Sequence, residues 1–177
     1  MKYVALLRGI NVVGKNKIEM KVLREVFSMA LGFENVKTYI NSGNVIFETL
    51  LNDDGKLAEK IESAIEREFS LKIKTIVRTM DEIADVIKNN PFDGQFESHK
   101  DLHVFFLDEP LPDEKREQLL ANNTDNEKFA VRGREIFHFC RDLRFPDSLA
   151  GKDYIGKKLK VSATARNWRT LSKILEM

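Results

Sequence analysis

Two glycines and a lysine near the start of the chain have almost the spacing of a phosphate-binding loop. Gly9 and Gly14 are separated by four residues and Lys15 follows directly, as in loops whose backbone N–H groups hold the phosphates of a nucleotide. In such loops the next residue is Ser or Thr, whose hydroxyl binds Mg²⁺, but here it is Asn16. The hairpin predicted after the following helix also differs from the parallel sheet of those enzymes. We therefore do not expect a nucleotide hydrolase.

The same segment still predicts a site that holds an anion without a metal. Arg8, Lys15 and Lys17 lie close together around the two glycines, and backbone N–H groups beside such cations bind phosphate or carboxylate. A structural interpretation is equally open, since glycines give a loop conformational freedom and lysines keep it soluble. Arg8 and Asn11 fit that interpretation least, because an arginine at the end of a buried strand needs a partner.

A second polar segment lies near the end of the chain. Arg166 and Asn167 precede Trp168, the only tryptophan, where the pattern predicts the opening of the last helix, with Thr164 or Asn167 as its cap. A helix N-terminus favours anions, and an arginine beside a tryptophan can hold a phosphate or stack on a base. The alternative is that Trp168 is a core residue covered by Arg166.

Together these segments predict metal-independent binding of a phosphorylated small molecule or a nucleic acid at a basic polar site. The site would also include the Ser-Gly-Asn turn at residues 42–44, which is too small and polar for the core but is also explained as a plain hairpin turn. The predicted ligand-binding residues are Arg8, Asn11, Lys15, Asn16, Lys17, Ser42, Asn44, Arg166 and Asn167.

The distribution of charge is compatible with such a site. The net charge is only +1, but residues 1–24 contain six Lys or Arg and one Glu, and residues 150–177 contain seven basic and two acidic side chains. The middle of the chain is correspondingly acidic. If the two basic segments meet in the fold, they form one face suited to an anionic ligand. If they do not, each is a solvated surface.

The remaining reactive residue types predict neither a metal site nor catalysis. His99, His103 and His138 lack the spacing of a metal site, and the single cysteine, Cys140, excludes a disulfide within the chain. His138 and Cys140 alternate along one strand face, which more often reflects packing than a nucleophile–base pair. The sequence therefore names no cofactor, no metal and no catalytic residue, and leaves open whether the chain is an enzyme.

The elements that position these residues predict an α+β fold. In the first half the hydrophobic pattern gives a β-α-β-β-α-β order, which is the ferredoxin-like split βαβ arrangement. The predicted elements are a strand at 3–8, a helix at 19–32, a hairpin of 36–40 and 45–49, a helix at 54–69, a strand at 71–77 and a short helix at 80–88.

The second half predicts a related β-α-β-β-α-α unit. Its predicted elements are a strand at 102–107, a weak helix after Pro112, a hairpin of 128–132 and 135–140, and helices at 153–160 and 167–176. We expect domains at 1–90 and 91–177, the second packed on the first. Because no residue motif recurs at a fixed period, this would be a structural duplication without a sequence repeat.

Composition is that of an ordinary globular protein. The chain has 177 residues, of which 42% are hydrophobic and 32% charged, enough to bury its own core. No apolar run approaches the roughly 18 residues of a membrane span, and the first residues do not form a signal peptide. We expect a cytoplasmic protein with no membrane partner, either a monomer or a homodimer.

Two other functions stay open on the sequence alone. One is a protein–protein interaction or scaffold module, in which the apolar strands at 104–107 and 136–139 supply the contact surface and the polar motifs are structural. The other, ranked lowest, is an enzyme acting on a nucleotide, which would share the anion site but lacks an identifiable base.

Taken jointly, the motifs resemble the bacterial DUF1697 family of proteins of unknown function. The resemblance covers nearly the whole chain and rests on residues 6–12, 14–16, 20, 32–33, 38–39, 42–45, 90–92 and 164–168. It implies a fold similar to the ferredoxin-like one and supplies no reaction. Val13 stands where the family usually has glycine, which argues against a fully open glycine loop. Arg169 stands where asparagine is usual, which adds charge near the predicted site.

Overall fold

Two four-stranded antiparallel sheets form the framework of the chain. The computed structural model describes residues 1–177 and divides them into two compact units. Unit 1 comprises Met1–Ala84 and Lys173–Met177, and unit 2 comprises Asp85–Ser172. Helices accompany both sheets, so the predicted α+β class is confirmed. No helix combines the length and the apolar character needed to cross a membrane.

Unit 1 has the predicted β-α-β-β-α-β order. Its elements are β1 (Lys2–Leu7), α1 (Met20–Glu25, continued by a π-helical turn at Val26–Ala30), β2 (Glu34–Tyr39), β3 (Asn44–Glu48), α2 (Asp54–Phe69) and β4 (Thr75–Thr79), followed by α3 (Met80–Lys88). The strand order in the sheet is β2-β3-β1-β4, with every neighbour antiparallel. The last strand starts later than the predicted 71–77 because its partner β1 ends at Leu7, opposite Thr75.

Helix α2 shows how directly the sequence specifies these elements. The carboxylate of Asp53 accepts a hydrogen bond from the backbone N–H of Lys56 at 3.0 Å, which caps the helix start. Leu57, Ile61 and Ile65 recur at helical spacing and are buried against the sheet. The apolar stripe and the N-cap indicate the same helix, and the observed bounds, Asp54–Phe69, are those predicted.

Unit 2 repeats the same sheet topology. Its elements are β5 (Leu102–Leu107), α4 (Asp113–Leu120), β6 (Glu127–Arg132), β7 (Glu135–Cys140), a 3₁₀ turn at Phe145–Asp147, α5 (Tyr154–Lys157) and β8 (Ala163–Asn167), followed by α6 (Trp168–Leu175). The strand order is β6-β7-β5-β8, again antiparallel throughout. The two units are therefore consistent with the predicted structural duplication.

Strand β8 was not predicted from the sequence. Residues 163–167 were expected to open the last helix, but they pair with β5, and α6 begins only at Trp168. The segment is too short and polar to show a strand pattern, and its neighbour in the sheet imposes the conformation. Asn167 does cap α6, since its Oδ1 accepts the N–H of Thr170 at 2.9 Å. Thr164, the other predicted cap, lies inside the strand.

Each sheet carries a buried arginine at the same position of its last strand. Val4 lies opposite Arg78 in unit 1, and Val104 lies opposite Arg166 in unit 2. The two arginines are 1% and 7% exposed, and in each case Nη1 donates to the carbonyl of the preceding residue, at 3.0 and 2.8 Å. The duplication thus extends from topology to an individual side chain.

The strands predicted to supply a contact surface are core instead. Val104, Phe106 and Phe137 are at most 1% exposed, and the alternate residues Phe105 and Ile136 are buried in the core of unit 2. Both faces of these strands are therefore buried, which is why the run is continuously apolar. The prediction that residues 104–107 and 136–139 form an exposed interface is wrong.

Candidate functional site

An extended loop follows the first strand of unit 1. Residues 8–19 connect β1 to α1, whereas the corresponding connection in unit 2, from β5 to α4, needs only residues 108–112. The long loop lines a cavity of about 640 Å³. The lining residues are Asn11, Gly14, Lys17, Ile18, Glu19, Met20, Lys21 and Asn41. Two predicted site residues, Asn11 and Lys17, are among them.

The side chain of Asn11 holds this loop in shape. Its Nδ2 donates to the carbonyls of Ile18 and Asn41, both at 3.0 Å, and its Oδ1 accepts the backbone N–H of Ile18 at 2.9 Å. The amide is fully engaged within the protein. Asn11 therefore positions the loop, and this structural role accounts for an asparagine at that position.

A second asparagine closes the tip of the loop. Asn16 Nδ2 donates to the carbonyl of Gly9 at 3.0 Å, and the N–H of Lys15 donates to the carbonyl of Val12 at 2.9 Å. Val13, at the tip, has φ of +48°, a conformation that suits glycine and strains a β-branched residue. The loop therefore keeps a left-handed backbone at Val13, the position where the resemblance leads us to expect glycine.

Two lysines, Lys17 and Lys21, line this cavity, and a helix begins in its wall. Lys15, Lys17 and Lys21 are exposed, with Glu19 as the acidic residue among them. No side chain caps α1, and its first intrahelical bond is donated by the N–H of Leu23 to the carbonyl of Glu19 at 2.9 Å. The start of α1 thus offers the partial positive charge of a helix N-terminus next to two lysines.

The Ser-Gly-Asn turn belongs to the scaffold more than to the surface. Asn44 is fully buried, contrary to the expectation that this turn stays out of the core. Its Nδ2 donates to the carbonyl of Tyr39 at 3.0 Å and to Ser42 Oγ at 3.1 Å. These bonds tie the end of β2 to the start of β3, and a buried amide is tolerated because it is hydrogen-bonded.

The nine predicted site residues divide between the two units. Arg8 is exposed in unit 1, with the lysines already described, while Arg166 and Asn167 belong to unit 2. Arg166 is buried, and burial lowers its pKa to about 10, which leaves it charged at neutral pH. It also donates to Thr164 Oγ1 at 2.9 Å. Arg78 occupies the corresponding position in unit 1, so a role in the framework accounts for Arg166. Ligand binding by Arg166 stays a prediction.

Unit 2 has its own extended loop, at a different place in the fold. Residues 141–153 connect β7 to α5, whereas in unit 1 residues 49–53 connect β3 to α2. The loop lines a cavity of about 780 Å³. The lining residues are Glu97, Ser98, Lys100, Asp101, His103, Arg141, Asp142, Leu143, Arg144, Phe145, Pro146 and Asn167. Of these, sequence reasoning singled out only Asn167.

A buried imidazole and a partly buried carboxylate support this loop. His138 Nε2 lies 2.9 Å from Glu127 Oε1, and the same carboxylate accepts the N–H groups of Leu149 and Ala150 at 3.0 and 3.2 Å. Burial lowers the pKa of His138, and the charge and hydrogen bond of Glu127 partly oppose that effect. Glu127, at the start of β6, thus ties the sheet to Leu149 and Ala150, which follow the cavity-lining residues in the loop.

His103 lies beside this pair and in the wall of the cavity. Its ring stacks on Phe145 with a centroid distance of 4.1 Å. Burial, and after it the nearby His138, lowers the pKa of His103 to about 4, so the ring is neutral at neutral pH. The Nδ1 atoms of both histidines are buried without a hydrogen-bond partner. No sequence pattern indicates that His103 and His138 lie together, because they are 35 positions apart.

The cysteine on the same strand is not poised for nucleophilic chemistry. Cys140 is buried, and burial, followed by the charges of Glu127 and Asp101, raises its thiol pKa to about 11. A thiol of that pKa is protonated at neutral pH and is a poor nucleophile. This supports packing as the interpretation of the His138–Cys140 alternation. The structure contains no group of three or more His, Cys, Asp or Glu side chains arranged to hold a metal ion.

Comparisons with known proteins agree with the fold. The chain is similar to the solved structure of a conserved bacterial protein from Streptococcus pneumoniae, with a TM-score of 0.77 and 24% sequence identity over 99% of this chain and 97% of that one. At that identity the likeness concerns the fold alone. No curated protein matches the chain. The model of a family described as a protein of unknown function, DUF1697, matches residues 1–137. The chain therefore belongs to the DUF1697 family.

Proposed function

We propose that unit 1 binds a phosphorylated small molecule, without a metal, in the cavity between residues 8–19 and the start of α1. One observation carries the proposal. The uncapped N-terminus of α1 opens into a cavity of about 640 Å³ whose wall includes Lys17 and Lys21. Backbone N–H groups and ammonium groups that converge on one space suit a phosphate group.

The geometry of the loop favours a bound ligand over simple solvation of the lysines. The amide of Asn11 fixes the loop through hydrogen bonds to Ile18 and Asn41, which both line the cavity. Preorganised donors lose little conformational entropy on binding. Glu19 opposes the proposal, since its carboxylate lines the same cavity and repels an anion. The two lysines outnumber it, so the local charge still favours an anion.

A small molecule fits this cavity better than a nucleic acid strand. Proteins that hold single strands combine cations with aromatic side chains on which bases stack. None of the residues that line this cavity is aromatic. A phosphate with a compact, polar remainder is therefore the proposed ligand class, and a nucleic acid is the competing outcome of the test.

The test is a titration of the intact chain at low salt with inorganic phosphate, glucose 6-phosphate and a short single-stranded RNA. Amide signals of Met20 and Lys21, followed by NMR, are expected to shift saturably with the phosphates. The double change Lys17→Gln and Lys21→Gln is expected to weaken binding at least about tenfold, as charge-assisted hydrogen bonds are lost. Lys72→Gln, an 87% exposed lysine outside the cavity, is the matched control.

The variant Glu19→Gln is expected to change the phosphate affinity in the opposite direction. Removal of the carboxylate is expected to tighten phosphate binding by about threefold, because a repulsive charge at the cavity is worth a few tenths to one kcal/mol at an exposed site. Equal affinities in the wild type, the lysine variant and the Glu19 variant would overturn the proposal. RNA binding that far exceeds phosphate binding would reassign the ligand class.

A second candidate function is protein–protein interaction through the tip of the same loop. Val12 and Val13, at this tip, are 53% and 94% exposed. Exposed aliphatic side chains next to lysines are suited to a partner surface. Sedimentation velocity over a range of concentrations tests this for a homodimer: self-association that Val13→Asp abolishes supports it, and a monomer at all concentrations argues against a homodimer.

A further inference from the structure

The cavity of unit 2 has features that anion binding in unit 1 does not explain. The Nδ1 atoms of His103 and His138 are buried without a partner. Buried polar atoms in native proteins are nearly always hydrogen-bonded, and each exception calls for a cause. Two exceptions on facing residues, one of them in a cavity wall, point to a role other than packing.

Unit 1 shows that the framework does not require histidines at these positions. His103 lies opposite His138 in the register of β5 and β7, and the corresponding pair in β1 and β3 is Tyr3 opposite Phe47. The Tyr3 and Phe47 rings stack at 5.8 Å, and the Tyr3 hydroxyl donates to the carbonyl of Leu51 at 3.0 Å. The same place in the fold can thus be filled with every polar atom satisfied.

His103 offers the cavity one ring nitrogen, Nε2, because its Nδ1 is buried. Its ring is only partly covered and stacks on Phe145. Because its pKa is about 4, the imidazole is neutral near pH 7 and carries one N–H donor and one acceptor nitrogen. Nε2 is the donor or the acceptor according to the tautomer, and either role suits the edge of a heteroaromatic ring, which presents both kinds of group.

Charged groups of both signs surround the same wall. Lys100, Arg141 and Arg144 line the cavity, and so do the carboxylates of Glu97, Asp101 and Asp142. Three of these side chains already make hydrogen bonds within the protein. Arg144 Nε donates to Asp147 Oδ2 at 2.9 Å, Arg141 Nη2 donates to the carbonyl of Gln95 at 2.9 Å, and Asp101 Oδ2 accepts the N–H of Ser98 at 3.0 Å. The arginines suit a phosphate, and the carboxylates suit hydroxyl or amino groups of the same ligand.

We propose that the cavity of unit 2 binds a ligand of the nucleoside monophosphate class, with its base against His103 and Phe145 and its phosphate at Arg141 and Arg144. A volume of about 780 Å³ lies within the usual range for small-molecule sites. The site lies entirely within unit 2 and is separate from the one proposed for unit 1.

Glu127 and His138 act as positioning residues for this wall. Glu127 accepts hydrogen bonds from the backbone of Leu149 and Ala150, just beyond the 3₁₀ turn that presents Phe145. His138 in turn fixes the Glu127 carboxylate. The long loop is thus held by buried groups, which keeps the aromatic wall in place before a ligand arrives.

The test is calorimetric and NMR titration of the intact chain with AMP, GMP, CMP and UMP, and separately with adenosine and with inorganic phosphate. At least one nucleotide is expected to bind at least about tenfold more tightly than adenosine or phosphate alone, because both parts of the ligand contribute. Amide signals of His103, Phe145 and Asn167 are expected to shift. Their shift, rather than that of Met20 and Lys21, distinguishes this site from the one in unit 1.

Two variants test the contact to the base and the contact to the phosphate separately. His103→Phe keeps an aromatic ring but removes both nitrogens, and it is expected to weaken nucleotide binding about tenfold, the equivalent of one hydrogen bond. Arg144→Gln changes a side chain that is 85% exposed, so folding is preserved. It is expected to weaken nucleotide and phosphate binding while leaving adenosine unchanged. Arg67→Gln, on the exposed side of α2 in unit 1, is the matched control.

Three results would overturn the proposal. The first is the absence of saturable binding by all four nucleotides at millimolar concentration. The second is a nucleotide response confined to residues 8–21, which would place the ligand in unit 1 and leave only the function proposed there. The third is unchanged affinity in both His103→Phe and Arg144→Gln.

Discussion

The two units share a framework and differ in their connections. Both sheets have the same strand order, and both bury an arginine at the same position, Arg78 in one and Arg166 in the other. The extended loops fall at different places, after the first strand in unit 1 and after the third in unit 2. Each extended loop lines a cavity. Features present twice serve the fold, and features present once show where function is to be sought.

The two cavities also differ in chemistry. The cavity of unit 1 has lysines and a helix start in its wall and no aromatic side chain, whereas that of unit 2 combines His103 and Phe145 with charges of both signs. A shared fold therefore frames two cavities of different chemical character. The comparison also separates two predicted site residues. Arg166 has an equivalent in Arg78 of unit 1, whereas Lys17 lies in a long loop that unit 2 lacks at that place.

The largest expected effect concerns the turn before the third strand of each sheet. Gly43 has φ of +78°, and a Cβ there would lie 2.7 Å from Leu7 Cβ, whereas Gly133, with φ of +54°, has only Glu135 Oε2 nearby, at 3.7 Å. Gly43→Ala is expected to cost about 2–5 kcal/mol, from backbone strain and overlap together. Gly133→Ala is expected to cost about 1–2 kcal/mol, from strain alone. Urea denaturation of both variants measures the difference, and equal losses would contradict the geometry.

The next effect follows from the His103 position and its counterpart Tyr3. The pKa of His103 is about 4 in the folded state against 6.5 for the free side chain, so between these values the unfolded chain binds more protons. Stability contributed by the neutral ring is therefore present above about pH 6.5, falls as the pH drops to about 4, and levels off below. The loss is at most ~3 kcal/mol.

The measurement is the free energy of unfolding at pH 7 and pH 4.5 for three proteins. His103→Phe is expected to lose less stability on acidification than the wild type, because the titrating ring is gone. Tyr3→Phe is the matched control, since Tyr3 titrates only at high pH, and its loss should equal that of the wild type. If His103→Phe and wild type respond identically, the imidazole is not buried in the neutral form.

The smallest effect is a gain of stability at the tip of the long loop in unit 1. Val13→Gly removes the strain of a left-handed valine, worth about 1–2 kcal/mol, at an entropic cost of about 0.5–1 kcal/mol. The net gain expected is about 0.5–1 kcal/mol, seen as a small rise in Tm. Val12→Gly is the matched control, because Val12 is not left-handed and has no strain to release. A Tm that falls in both variants would show that the valine at position 13 is not strained.

Local patterns determined most of the secondary structure. The helices over 54–69 and 80–88 and the strand over 102–107 have the predicted bounds, because an apolar stripe and end signals recur within one element. The α+β class and the family followed from those elements and from the motifs. Strand β8 escaped prediction, since its five residues become a strand only by pairing with β5.

The residues of the two candidate sites could be predicted from the sequence only in part. Residue types and spacing were enough to mark the lysine-containing loop after the first strand. They did not show that Asn11 shapes this loop, because one of its partners, Asn41, is 30 residues away. They also did not show that Asn44 is buried, because burial depends on how the whole unit packs. His103, His138 and Glu127 carry no motif, and only the pairing of strands brings them together beside a cavity. Sequence by itself determined which elements form, through local periodicity, whereas tertiary structure decided which polar atoms are satisfied and which are buried without a partner.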